Sequence, residues 1–239
     1  MAGLYKDEGV VLKTIKLGEA DRIVTLFTRH NGKVRAVAKG IRKTKSRFGG
    51  RLEPFTRAQL VVYRGRTLDT VTSADILTSF KEVRDDYVRL TSAAALAELV
   101  EKITPDREHS FSIYALLLAG LQALATGKGA TVVPAFLVKV LSLSGYHPQL
   151  SVCAGCGESR DLGGFSAALG GAVCAACWRA EQDAVRMPAA QIALLGRLLA
   201  CDFGEDASTD AVVELTQTLK HYAEYHLERP LKSLPVTPL

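Results

Sequence analysis

Four cysteines carry the most specific chemistry in the sequence. Cys153 and Cys156 form one C-x-x-C pair, and Cys174 and Cys177 form a second, with seventeen residues between the pairs. A C-x-x-C turn brings two thiolates onto one metal, and two such turns complete a tetrahedron. Gly155 and Gly157 relieve the first turn. The spacing predicts one structural Zn2+ held by all four thiolates, with no open coordination position left for catalysis. Two disulfides, or four unrelated thiols, are the alternatives. Five cysteines, an odd number, fit a reducing compartment better than a disulfide framework. Residues 150–180 are rich in Gly and Ala and bury too little surface to fold unaided. The metal is expected to supply the difference, roughly 10 kcal/mol or more. Trp178, beside the second pair, is expected to pack. Cys201, at the end of an apolar helical run, is expected to be a buried hydrophobe.

The second concentration of chemistry is KVRAVAKGIRKTKSRFGGRL, residues 33–52, with eight basic side chains and no acidic one. They are Lys33, Arg35, Lys39, Arg42, Lys43, Lys45, Arg47 and Arg51. Such a run repels itself, and a polyanion relieves the repulsion. Lys33, Arg35 and Lys39 alternate onto one face of an expected strand. The other five fall on a loop that Gly40, Gly49 and Gly50 are expected to keep flexible. A charged sheet face with a mobile basic loop makes a groove that tracks a phosphate backbone with little sequence preference. Phe48, inside the loop, is the candidate for stacking on bases. Phe27 and Tyr63 are open between stacking and filling the core. The alternative for the whole run is a solvated charged loop. Nucleic acid is favoured over an anionic membrane, because no basic amphipathic helix with bulky apolar residues appears.

Catalytic patterns fail on spacing. ATGKGA, residues 125–130, has Gln122 where a phosphate-binding loop needs its first glycine and Gly129 where it needs Ser or Thr. It follows a helical run and is expected to end that helix. His221 and His226 are five apart, not the four that place two imidazoles on one helical face, and are expected at the surface. Asp85, Asp86, Asp202, Glu205 and Asp206 are imaginable Mg2+ ligands for a nuclease, but they are expected at helix ends, where carboxylates suit the dipole or the solvent. No nucleophile–base pair stands out, so the chain is expected not to be an enzyme and to have no small-molecule substrate.

The elements that must position these residues follow from periodicity. Residues 8–78 contain five short β-branched runs, with Asn31-Gly32 marking a two-residue hairpin whose central residues both need positive φ. Five strands in this length predict a small closed barrel of the oligonucleotide/oligosaccharide-binding (OB) type, with an SH3-like barrel as competitor. From Lys81 the period becomes helical. Tyr87, Leu90, Ala94, Ala97 and Val100 share a face, Pro105 ends the helix, and FSIYALLLAGLQALATG is apolar nearly all round, as in the central helix of a bundle. A third helix has Pro134 near its start and Gly145 past its end, and Ser208 or Thr209 caps the last. The predicted class is α+β and multidomain, with an OB barrel over residues 1–80. A helical domain over 81–149 and 181–239 is interrupted by the four-cysteine module at 150–180. Residues 1–80 carry sixteen Lys/Arg against seven Asp/Glu, a charge of +9, and the remainder carries −4. A basic head on a mildly acidic body suits a polyanion-binding domain joined to something else. No secretion signal or membrane-spanning run is evident, and a soluble intracellular protein is expected. The tail LPVTPL is expected to be loosely held.

In this order the parts resemble the RecO family of bacterial recombination-mediator proteins. EGVVLKTIKLGEADRIVTLFTRHNGKVRAVAKGIRKTKSRFGGRLEPF is similar to that family's opening. FLVKVLSLSGYHPQLSVCAGCG resembles the approach to its cysteine region, and HLERPLKSL its C-terminal ending. The resemblance covers nearly the whole chain. It implies an OB barrel, a helical domain and a zinc module, and a cytoplasmic, nucleoid-associated role in recombinational repair. It further implies binding of single- and double-stranded DNA, annealing of complementary strands, and, with RecR, loading of RecA on DNA coated by single-strand-binding protein (SSB). The family's DNA-binding surface carries over onto the eight cations of residues 33–52. Many members lack the full cysteine set that this chain keeps. A nuclease or an RNA-binding scaffold is the alternative function.

Overall fold

The computed structural model describes residues 3–200, 203 and 207–234. Cys201, Asp202, Glu205 and Asp206, and the tail beyond Leu234, lie outside the described residues. The chain divides into two compact units, Met1–Ala125 and Thr126–Leu239.

The first unit opens with five strands: β1 (Leu4–Leu17), β2 (Asp21–Thr28), β3 (Gly32–Ala38), β4 (Arg57–Tyr63) and β5 (Asp69–Thr78). They close into a barrel in the order β1-β2-β3-β5-β4. β1 is long enough to pair with β4 through its first half and with β2 through its second, and an irregularity between Val11 and Lys13 bends it between those duties. A short parallel pairing, Ala36 with Asp69 and Val37 with Thr70, closes the circuit. This is the OB arrangement. Alternation does the sorting in β3: Val34, Ala36 and Ala38 are buried, and Arg35 between them is exposed.

The β2–β3 turn differs from the expected one. Three residues, Arg29 to Asn31, separate the strands, and of Asn31 and Gly32 only Gly32 has positive φ, at 63°. A side chain at Gly32 would also collide with the Glu108 carbonyl. The turn is set from outside by buried Asp7 on β1. Its carboxylate accepts from the Asn31 side-chain amide at 2.7 Å and from the backbone amides of Glu8 (2.8 Å), Asn31 (3.0 Å) and His30 (3.3 Å), and His30 Nδ1 lies 2.9 Å away. Burial opposes ionisation of Asp7, but these hydrogen bonds, led by Asn31 and His30, outweigh it and hold the carboxyl below its usual range.

Helices α1 (Lys81–Arg84), α2 (Tyr87–Ile103) and α3 (Phe111–Ala125) complete the first unit. Asp86 caps α2 by accepting from Arg89 N at 2.9 Å, and Asp85 follows α1, so both carboxylates stand at helix ends as expected. α2 buries Ala93, Leu96, Leu99 and Val100, whereas Tyr87 is 69% exposed, so the expected apolar face does not reach the first turn. α3 ends at Ala125 and Gly127 has φ 74°, which makes ATGKGA a helix terminus.

The second unit contains α4 (Val132–Leu143), strands β6 (Leu162–Ser166) and β7 (Gly171–Cys174), α5 (Ala175–Ala180), β8 (Val185–Arg186), α6 (Ala189–Ala200) and α7 (Thr209–Leu227). α4 is the most enclosed helix, with nine of twelve residues buried; α3 instead packs beside α2 in the first unit. The helical span expected at 81–149 is thus shared between the two units. Ser208 caps α7. His226 is half-buried, stacked on Tyr146 and edge-on to Tyr222 and Tyr225, which corrects the expected surface position. The neighbouring aromatic rings make the site apolar, and burial lowers the pKa of His226. Among the described residues no helix is long and apolar enough to cross a membrane.

Candidate nucleic-acid interface and metal centre

Seven of the eight predicted cations stand in solvent: Arg35, Lys39, Arg42, Lys43, Lys45, Arg47 and Arg51 are all exposed. Among the described residues, none of the seven is in an ion pair. Six of them lie between Lys39 and Arg51, on the crossing from β3 to β4. Those six share one end of the barrel with the β1–β2 turn: Arg42 N donates to Ala20 O at 2.9 Å and Arg42 Nη1 to Gly18 O at 3.2 Å.

Two predicted residues do something else. Phe48 is 1% exposed and belongs to the barrel core with Leu26, Leu52, Leu60 and Val62, so its ring is not available to bases. The physical reason is geometric. A small barrel needs a large apolar plug at its mouth, and Phe48 and Leu52 supply it from the loop. Arg47 lies over the Phe48 ring at 4.9 Å. The loop is therefore pinned rather than free, with turns Lys43 N to Gly40 O and Ser46 N to Lys43 O, and Gly40 N bonded to Asp21.

Lys33 is the second correction. Its Nζ donates to Glu101 O and Thr104 O, both at 2.7 Å, and lies 3.2 Å from Asp106 Oδ1. It neutralises the carbonyl end of α2, where a helix leaves acceptors unpaired and the dipole favours a cation. Phe27, which was open between two roles, is fully buried and packs against Tyr114 of α3 at 6.2 Å. Tyr63 is 44% exposed. Phe27 thus lies under α3 and Lys33 is held at the end of α2, so neither side chain joins Arg35 on an open face.

Sequence reasoning missed the polar seam that attaches those helices. Buried Asp69 accepts from Arg107 Nη2 at 2.8 Å, Tyr5 OH at 2.7 Å and Gly65 N at 3.0 Å. Burial opposes its ionisation, and the Arg107 and Tyr5 hydrogen bonds overcome that and lower its pKa. Glu8 accepts from Arg57 Nε at 2.7 Å and from Tyr114 OH at 2.8 Å. These partners are up to 106 residues apart, and no local pattern marks them.

In the second unit the four thiols converge. The Sγ atoms of Cys153, Cys156, Cys174 and Cys177 all lie within 4.8 Å of one another, and all four cysteines are free. Cys156 and Cys174 sulfurs are 3.8 Å apart. Two local devices bring them there. The first is a turn in which Gly157 N donates to Cys153 O at 2.8 Å; the second is the β6–β7 hairpin, which delivers Cys174 at the start of α5. Burial raises the Cys153 thiol pKa, but the backbone amides of Cys174, Cys156 and Gly155 outweigh it and bring the pKa to about 6. Hydrogen bonds with Cys153, Cys156 and Cys174 push Cys177 up to about 12. One thiolate among neighbours discourages the next, and a cation at the centre removes that penalty. Four free thiols this close can hold one metal ion. Trp178 packs on Gly164 and the small core of Cys153, Val173 and Cys174, as expected.

A closed OB-type barrel with helices and four clustered thiols that can hold a metal defines a multidomain α+β protein in two units. A family model described as Recombination protein O N terminal matches residues 1–80, and one described as Recombination protein O C terminal matches residues 84–235. The chain belongs to the RecO family of DNA repair proteins. It is similar to "DNA repair protein RecO" of a Nocardioides species, 43% identical over 97% of this chain and 98% of that one. The protein of the same name from Bifidobacterium adolescentis is 43% identical over the same shares, and that from Thermobifida fusca 41% over 97% of each.

Proposed function

We propose that this chain is a non-enzymatic, DNA-binding recombination mediator, cytoplasmic and associated with the nucleoid. In this reading it binds single- and double-stranded DNA and anneals complementary strands. With RecR it helps load RecA on DNA coated by SSB. The carrying observation is the barrel end where Lys39, Arg42, Lys43, Lys45, Arg47 and Arg51 stand exposed and without ion pairs among the described residues, in a chain of the RecO family. Annealing brings two like-charged strands together, and a dense cationic surface screens their repulsion. Phe48 and Lys33 are not part of the interface; Arg35 and the six loop cations are. The reaction needs no nucleotide, which suits the absence of a phosphate-binding loop pattern in the sequence. Of the carboxylates considered for a nuclease, Asp86 caps α2 and Asp85 ends α1, which favours a binding role. The Cys153, Cys156, Cys174 and Cys177 cluster holds one structural zinc, the metal that four thiolates at tetrahedral spacing suit best.

The test is strand annealing without nucleotide, in the full chain and in Lys43→Glu/Lys45→Glu/Arg47→Glu. Annealing is expected to be abolished by the triple reversal. If about five cations meet phosphate, the log–log salt slope on single strands is expected near −3.5. Unchanged annealing or a salt-independent affinity refutes the interface. Mg2+-dependent cleavage of the labelled strand promotes a nuclease instead. Co-purification with RecR and with SSB tests the assembly part of the reading.

A further inference from the structure

We propose that the opposite end of the barrel binds a second single strand, so that each barrel end holds one of the two strands being annealed. The inference rests on the DNA-binding reading above. The turns after β2 and β4 lie at the end of the barrel away from the β3–β4 crossing, because β2–β3 and β4–β5 are antiparallel pairs. β3 spans seven residues, so the two ends are about 20 Å apart.

That far end carries cations and an open aromatic ring. Arg29, Arg64 and Arg66 are exposed, and among the described residues none is in an ion pair. Arg64 is oriented, with Nη2 donating to Asn31 Oδ1 at 3.0 Å and its guanidinium 5.2 Å from the Tyr5 ring centre. Phe111 is 51% exposed, with His30 and His109 edge-on at 5.7 and 5.3 Å. The carboxylates nearby are mostly engaged: Asp7 and Asp69 are buried in hydrogen bonds and Asp106 faces Lys33. Asp106 and Glu108 are both exposed, and Glu108 is in none of the ion pairs among the described residues. Arginines beside a half-exposed aromatic ring suit a backbone phosphate and an unstacked base, which only a single strand offers. A single continuous track along β3 is disfavoured. Lys33 is bound to the end of α2, and Phe27 on β2 lies under Tyr114 of α3.

The probe is a fluorescent oligonucleotide of about eight nucleotides, close to one OB-fold site. The full chain is expected to saturate at two strands. Arg29→Glu/Arg66→Glu/Phe111→Ala is expected to saturate at one and to anneal about ten-fold more slowly. Arg29→Lys/Arg66→Lys/Phe111→Tyr is expected to retain both sites and annealing, with both variants melting like the parent. One strand per unsubstituted chain, parental annealing in the reversed variant, or loss of a site in the conservative one overturns the second surface. Failure of the first reading looks different: Lys43→Glu/Lys45→Glu/Arg47→Glu would still bind two strands.

Discussion

The barrel and the cysteine module hold their chains in shape by opposite means. The barrel encloses Val11, Val24, Leu26, Leu60, Val62 and Val71 and is plugged by Phe48 and Leu52. Around the thiols, the corresponding cluster is three buried residues, Cys153, Val173 and Cys174, with Trp178 and Leu162 against them. Hydrophobic burial scales with apolar area, about 25 cal/mol per Å2, and the barrel has that area while the thiol knuckle does not. One region can therefore spend its surface on exposed cations and stay folded. The other brings four thiols that can hold a metal ion together around that small cluster.

That contrast can be broken from either side. Metal removal is expected to have the largest effect. Stripping the metal, or Cys174→Ser, is expected to cost the second unit on the order of 10 kcal/mol, as for structural zinc sites. Calorimetry with and without chelator should show the second unit's transition lost and the barrel's kept. A single unchanged melt would mean that the hairpin's packing, in which Phe165 meets Tyr222 at 5.3 Å, suffices alone. The corresponding lesion in the barrel is smaller. Phe48→Ala is expected to destabilise the first unit by about 3–5 kcal/mol, whereas Arg47→Ala next to it leaves stability nearly unchanged and weakens DNA binding. Denaturant titration and oligonucleotide binding on both variants separate plug from interface. Loss of DNA affinity in a Phe48→Leu variant that stays folded would return that ring to the binding surface.

Lys33 sharpens the same division within one strand. Lys33→Met is expected to cost about 1–3 kcal/mol, because carbonyls at the end of α2 lose their donor, with no change in the salt slope of binding. Arg35→Met should do the reverse, lowering the slope by about 0.7 at little cost in stability. The smallest effect is the pH response of the second unit. Burial holds the folded-state pKa of His226 below the ordinary 6.5. Above 6.5 both folded and unfolded imidazoles are neutral and stability is unaffected. As pH falls below 6.5 the unfolded chain takes up the proton first, and stability is lost down to the lowered folded value. A melting temperature of the second unit that falls between pH 7.5 and 5.5, and does so less in His226→Phe, is the expected result.

Much of the molecule was legible because it is local. The C-x-x-C pairs, the alternation in β3, the Asp86 and Ser208 caps and the glycine after α3 each follow from neighbours a few residues apart. What escaped depends on distant partners. Basic and aromatic types in one loop suggested a single purpose for all of them, but side-chain type does not say which way a side chain faces. Phe48 turned inward because the barrel mouth needed filling, and Lys33 turned to α2 because that helix ends beside it.

By itself the sequence determined the class of protein, the four cysteines that cluster in the second unit and the surplus of positive charge on the first eighty residues. Those depend on residue identity and short spacing. Only the tertiary structure decided which cations remain for a polyanion, which aromatic ring is open, and which buried carboxylates hold the turns. The physical reason is that a charge or ring acts through what surrounds it, and its surroundings are assembled from segments far apart in the chain.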